Sequence, residues 1–214
     1  MNALRLLLTR LKADPAWGME NVFWLCGIFL PLGILLPRYA GITAAGVRLA
    51  LLLAALGCAA GCLVRVYGRA FRRLHGRRPG AGVWGRLALA WLCSAALPAL
   101  AFGLLGLFRG VPPLGAGLLY AALFPALAAA LFVPIWRPKG GFLRCAKAWW
   151  LALRALYGPL LACALGAILL NALALFLLRN GALRGAVSAL LAALQWAVAL
   201  ELCCWFGEAR TAKA

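Results

Sequence analysis

The chain has 214 residues, of which 66% are hydrophobic and only 12% charged. That composition excludes an ordinary water-soluble domain, whose surface needs far more polar side chains to stay dispersed. Lysine and arginine number 22 against four acids, Asp14, Glu20, Glu201 and Glu208, for a net charge of +18. In a soluble protein that excess would point to nucleic acid. Here the basic residues lie in short stretches between long apolar runs, so no nucleic-acid partner is expected, and anionic membrane lipids are.

Crossing a bilayer takes about 20 apolar residues at 1.5 Å each. Stretches that meet or approach that length are 21–37, 42–64, 86–108, 113–135, 149–178 and 183–206. In lipid the backbone amides must be satisfied within the segment, so these runs are expected to be helices. Their apolar residues are continuous rather than alternating, which excludes a closed β-barrel. The predicted fold is therefore all-α: a polytopic membrane protein with six transmembrane helices as three hairpins, plus short interfacial amphipathic helices. Its expected divisions are an N-terminal interfacial segment at 1–20, a six-span domain at 21–208 and a short cytoplasmic tail at 209–214. The apolar stretch that begins at Val22 contains Pro31 and is followed by no A-x-A site, so it reads as a retained span rather than a signal peptide.

Three basic stretches have amphipathic spacing. In the first, Leu4, Leu7, Leu8 and Leu11 recur at helical intervals, with Arg5, Arg10 and Lys12 elsewhere, and Asp14-Pro15 ends or caps the segment. In the second, Arg65, Arg69, Arg72 and Arg73 share a face opposite Tyr67, Phe71 and Leu74; in the third, Arg144, Lys147 and Arg154 oppose Phe142 and Trp149. Helices of this kind lie in the interface with their cations among headgroups, so these seven basic residues are the candidate anionic-lipid contacts. A weak internal repeat is also visible: a proline in the first helix of each hairpin (Pro31, Pro98, Pro159), and similar ends at Tyr67-Gly68-Arg69-Ala70 and Phe206-Gly207-Glu208-Ala209. Duplicated hairpins of this sort occur in transport proteins.

Catalytic constellations are missing. The single histidine, His75, excludes bis-histidine haem ligation within the chain, and there is no phosphate-cradling G-x-x-x-x-G-K-[ST] run. The eight cysteines lie mostly in apolar stretches and read as small buried residues; Cys58 and Cys62 share a helix face without a nearby His or Met. No cofactor and no metal are expected. Glu201 is the one acid inside a span, which marks either a buried ion pair or a proton- or ion-coupling group. Glu208 is expected in water beside Arg210, and Asn171 and Gln195 in interhelical hydrogen bonds. Gly57 and Gly61 form a G-x-x-x-G pair, and Ala155, Gly158, Ala162 and Gly166 a small-residue stripe, both candidates for close helix packing.

Asp14-Pro15-Ala16-Trp17, the hairpin leading into Arg65-Val66-Tyr67-Gly68-Arg69, the basic connector to Trp84 and the stretch from Pro125 to Trp150 follow a familiar order. In that order the chain resembles, over nearly its whole length, a bacterial and archaeal six-span family known as a domain of unknown function, number forty-thirteen. The connector departs from that pattern in lacking acidic residues before Trp84. The resemblance implies architecture alone. The expected function is a membrane scaffold, assembly or accessory subunit without catalysis, working with other membrane subunits or as a homo-oligomer. The alternative is a small oligomeric transporter or channel using Glu201 and proline-broken helices.

Orientation follows from charge. Seventeen of the 22 basic residues fall on the side of the termini and the 65–86 and 137–154 segments, and five on the other. The excess of cations marks the cytoplasmic side, so both termini are expected there, in the cytoplasmic (inner) membrane. Cysteine-labelling reagents that cannot cross the membrane should therefore modify probes at 38–41 and 179–182 from outside. Outside labelling of residues 70–80 would overturn this orientation.

Overall fold

The computed structural model describes residues 14–39, 44–93, 113–139 and 141–211, together with Thr9 and Lys12. Six helices follow one another among them: α1 (Pro15–Tyr39), α2 (Ala45–His75), α3 (Ala81–Cys93), α4 (Pro113–Trp136), α5 (Phe142–Leu177) and α6 (Gly181–Thr211). No strand occurs among the described residues. Four helices are long and apolar enough to cross a membrane, over Ala45–His75, Gly117–Trp136, Leu143–Leu177 and Gly181–Arg210. The chain is thus an all-helical membrane protein. Most of the leucine face expected at 1–20, most of the third apolar stretch beyond Cys93, Pro98 and Arg109 lie outside the described residues.

Local chemistry sets the helix ends. Asp14 caps α1, its Oδ1 accepting the Trp17 backbone N–H at 3.1 Å, with Pro15 in the first position, where no amide is needed. Asn180 caps α6 in the same way, its Oδ1 accepting the N–H groups of Ala182 (2.9 Å) and Leu183 (3.3 Å). Gly76 ends α2 at φ +65°, a left-handed turn that glycine enters without steric cost, and its N–H donates to the Arg72 carbonyl at 2.8 Å.

Two sequence expectations are modified. The 65–75 and 142–154 stretches continue α2 and α5 rather than standing as separate interfacial helices. With 36 residues, α5 runs for about 54 Å, well beyond the roughly 30 Å of a hydrocarbon core. Prolines also fail to interrupt helices: α4 continues through Pro125 and Pro134, and α5 through Pro159. Nearby groups can re-satisfy the one backbone bond that each proline removes.

The chain divides into two compact units, Met1–Arg69 with Leu169–Val198, and Ala70–Ile168 with Ala199–Ala214. In the first unit, α1 turns Trp17, Asn21, Leu25 and Ile28 inward at helical spacing. Gly27 brings its backbone close to α2, where a Cβ would stand 2.7 Å from the Cys62 Sγ, and the Cys58 thiol reaches the Gly27 carbonyl at 3.5 Å. In the second unit, Phe71, Phe124, Phe132, Ile135, Leu156 and Leu160 are almost wholly enclosed. Gly207 lets α6 settle among Phe132, Leu74 and Trp136, each 3.2–3.3 Å from the Cβ it lacks. The Trp149 indole N–H donates to the Ala126 carbonyl at 3.0 Å, joining α5 to α4.

Candidate functional site

The acids of this chain are few, so where each goes is informative. Asp14 is the α1 cap. Glu20 pairs with Arg69, whose guanidinium also stands 5.3 Å over the Trp17 ring. One turn earlier on α2, Arg65 lies 5.8 Å over Trp24. Both rings are within the range of cation–π attraction, so arginines four residues apart on α2 turn toward α1 rather than straight into solvent.

The remaining two acids meet in the second unit. Glu201 and Glu208 are seven residues apart on α6, two helical turns on one face. Between them lies Arg73 of α2. Its Nε donates to Glu208 Oε1 at 2.9 Å, and its Nη1 to Glu201 Oε2 at 3.4 Å. The Arg73 and Glu201 side chains are 24% and 10% exposed, and that of Glu208 30%. Removing charges from water is costly, and a planar guanidinium that serves two carboxylates at once offsets much of that cost. Two carboxylates and one guanidinium leave a net charge of −1, softened by the basic last turn of α2. Elsewhere in the second unit, Trp136 meets the Phe206 ring edge-on at 5.2 Å, and the His75 ring N–H donates to the Ile135 carbonyl at 2.8 Å.

Glu201 therefore stands in a three-residue bridge. Glu208, expected in water beside Arg210, is drawn to Arg73 instead, while Arg210 lies over the Phe206 ring at 5.5 Å. Of the candidate lipid contacts, Arg65, Arg69 and Arg73 have partners in the protein, and Arg72, Arg144, Lys147 and Arg154 are exposed or project outward. At Gly57, Gly61, Gly158 and Gly166 an added Cβ would meet no atom within 4 Å, and Ala162 is exposed. Among the described residues, these small-residue stripes have no helix of the chain packed against them. Asn21 was missed by sequence reasoning: it is 2% exposed, and its Oδ1 has no hydrogen-bond partner among the described residues. Its only signal was a lone amide on the apolar face of α1. Cys62 packs against Gly27, and the Cys58 thiol donates to the Gly27 carbonyl.

No family model matches the chain, and no curated protein or solved structure is similar to it.

The geometry orders the cost of losing each charge. Arg73→Gln strands two carboxylates, one of them buried, and should destabilise the protein by about 2–4 kcal/mol. Glu201→Gln leaves Arg73 its shorter contact to Glu208, and should cost about 1 kcal/mol. Arg69→Gln breaks a pair whose acid is half exposed, and should cost less than about 1 kcal/mol. Thermal unfolding in one detergent checks the order; an Arg73→Gln protein as stable as the parent would show that the bridge contributes little.

Proposed function

We propose that the chain is a six-span protein of the cytoplasmic (inner) membrane, with both termini cytoplasmic, acting as a scaffold, assembly or accessory subunit without catalysis of its own. The four long apolar helices supply four of the spans; α1 and the stretch that begins with α3 are taken as the other two. Orientation rests on the 17 to 5 division of basic residues. The resemblance to the six-span family of unknown function fits the same architecture and is part of the proposal.

The observation that carries this reading is the outward direction of the small-residue stripes. Only 6% of the apolar window of α2 and 17% of that of α5 are buried within the chain, against 56% for α4 and 50% for α6. Helices associate in lipid through close van der Waals packing, which glycine and alanine permit. Gly57 and Gly61 on α2, and Gly158, Ala162 and Gly166 on α5, are surfaces on which another membrane subunit or a second copy can pack. The cations Arg72, Arg144, Lys147 and Arg154 would meet anionic headgroups of the inner leaflet, each adding about 1 kcal/mol.

The second reading, a small oligomeric transporter or channel, is favoured by one detail. Glu201 is the more buried of the two acids and holds the longer contact to Arg73, at 3.4 Å against 2.9 Å for Glu208. In that reading Glu201→Gln leaves the protein folded but abolishes proton or ion flux in liposomes. Equal flux from both proteins, or none from either, removes Glu201 from any coupling role.

For the scaffold reading, Gly57→Leu with Gly61→Leu should raise the dissociation constant of the assembly about tenfold or more, equivalent to about 1.4 kcal/mol. The thermal stability of the isolated chain should change little, because nothing in the described chain opposes the new side chains. Mass measurement of the protein extracted with its partners checks this, and an unchanged assembly would exclude the α2 stripe as its contact.

A further inference from the structure

Beyond the bridge, the second unit holds a concentration of positive charge around a hollow. An open cavity of about 290 Å³ lies where the α2–α3 connection meets the end of α4. Arg77, Arg78 and Arg86 line it with Lys139, over a floor that includes Phe71. All four cations are exposed, and no acid is among the lining residues. Nor can one be recruited from the chain. The sequence has no Asp or Glu between Glu20 and Glu201, and each of the four acids is engaged elsewhere, as the α1 cap or in the pairs with Arg69 and Arg73.

Four like charges around one hollow repel one another, and the chain has no counter-charge to set among them. One of them is already oriented: Arg86 Nη1 donates to the Pro138 carbonyl at 2.7 Å, which fixes its guanidinium while leaving other N–H groups available. Guanidinium forks match the oxygens of a phosphate better than any other side chain does. The volume lies at the lower edge of the roughly 300–1,000 Å³ of organic-ligand pockets, a scale suited to a headgroup or a small anion. On the membrane reading given above, the ends of α2 and α4 lie near the lipid boundary, within reach of headgroups.

We propose that this cavity binds a phosphate group, held by Arg77, Arg78, Arg86 and Lys139. These residues are distinct from the outward cations of α2 and α5, and the site is independent of whether the protein is a scaffold or a transporter. The phosphate is carried by a lipid headgroup or comes from solution, and the test separates the two. The full chain in neutral detergent is titrated with phosphatidylglycerol by native mass spectrometry, and with inorganic phosphate by calorimetry. Arg78→Gln with Arg86→Gln should weaken the tightest binding event about tenfold or more, as expected for lost charge-assisted hydrogen bonds. The charge-matched control, Arg179→Gln with Arg210→Gln, removes two exposed cations outside the cavity and should leave that event unchanged. Arg78→Lys with Arg86→Lys keeps the charge without the fork and should fall between the cavity variant and the parent. Loss of phosphatidylglycerol binding alone assigns a lipid headgroup, and loss of inorganic phosphate binding assigns the free anion. Equal weakening by cavity and control variants would make the binding a diffuse effect of net charge and overturn the proposal. So would a cavity variant that binds as the parent does, or a parent that binds neither probe.

Discussion

A chain with 22 basic residues and four acids must choose which cations to neutralise, because a carboxylate used once is not available again. This protein spends three of its acids on α2. Glu20 of α1 takes Arg69, and Glu201 and Glu208 of α6 together take Arg73. The second arrangement matters more, because Glu201 lies where water is scarce and an unpaired charge would be expensive. A single guanidinium serving two carboxylates ties the end of α2 to the end of α6. It also places Gly207 beside Leu74, close enough that no larger residue fits without displacing its neighbours. On another side of α6, Trp136 meets the Phe206 ring edge-on and adds an aromatic contact between α4 and α6.

The same scarcity shapes the outer surface. Once the acids are committed, the remaining cations can be balanced only from outside the chain. Two groups among them differ in placement. Arg72 in the last turn of α2, and Arg144, Lys147 and Arg154 over the first four turns of α5, are exposed, the residues proposed for headgroup contacts. Arg77, Arg78, Arg86 and Lys139 instead line one open hollow, the site proposed for a phosphate group.

Much of the architecture was legible from residue order, because long continuous apolar runs leave few alternatives to helices in a membrane. Helix ends were legible where a side chain sets them, as at Asp14-Pro15. Pairing was less so. The spacing of Arg65, Arg69 and Arg73 reads equally as a lipid-facing stripe and as a stripe turned toward other helices, since periodicity reports a shared face and not its neighbour. Arg73 meets Glu201 across 128 positions of sequence, and no local pattern encodes that contact. A clue did exist in the seven-residue interval between Glu201 and Glu208, which puts both acids on one face. Reading Glu208 with its sequence neighbour Arg210 obscured it. The cavity was hidden for a related reason: Lys139 joins Arg77, Arg78 and Arg86 only when the ends of α2 and α4 are brought together.

Glycine usage separates contacts made within the chain from those left for something else. At Gly27 and Gly207 the missing Cβ is matched by close neighbours, at 2.7 Å from Cys62 and 3.2 Å from Phe132. There the lack of a side chain is what lets two helices meet. Gly57, Gly61, Gly158 and Gly166 have no such neighbour among the described residues. Each carries the helix-propensity cost of glycine, about 1 kcal/mol relative to alanine in water, without a contact from the described residues to offset it. Lipid tails gain nothing from a flat helix face that larger apolar residues would not also give them, since the tails are as apolar as leucine. A helix from another polypeptide does gain, because its backbone can come as near to α2 as the backbone of α1 already does at Gly27. This is the reason we propose protein contact, rather than lipid, for the stripes on α2 and α5.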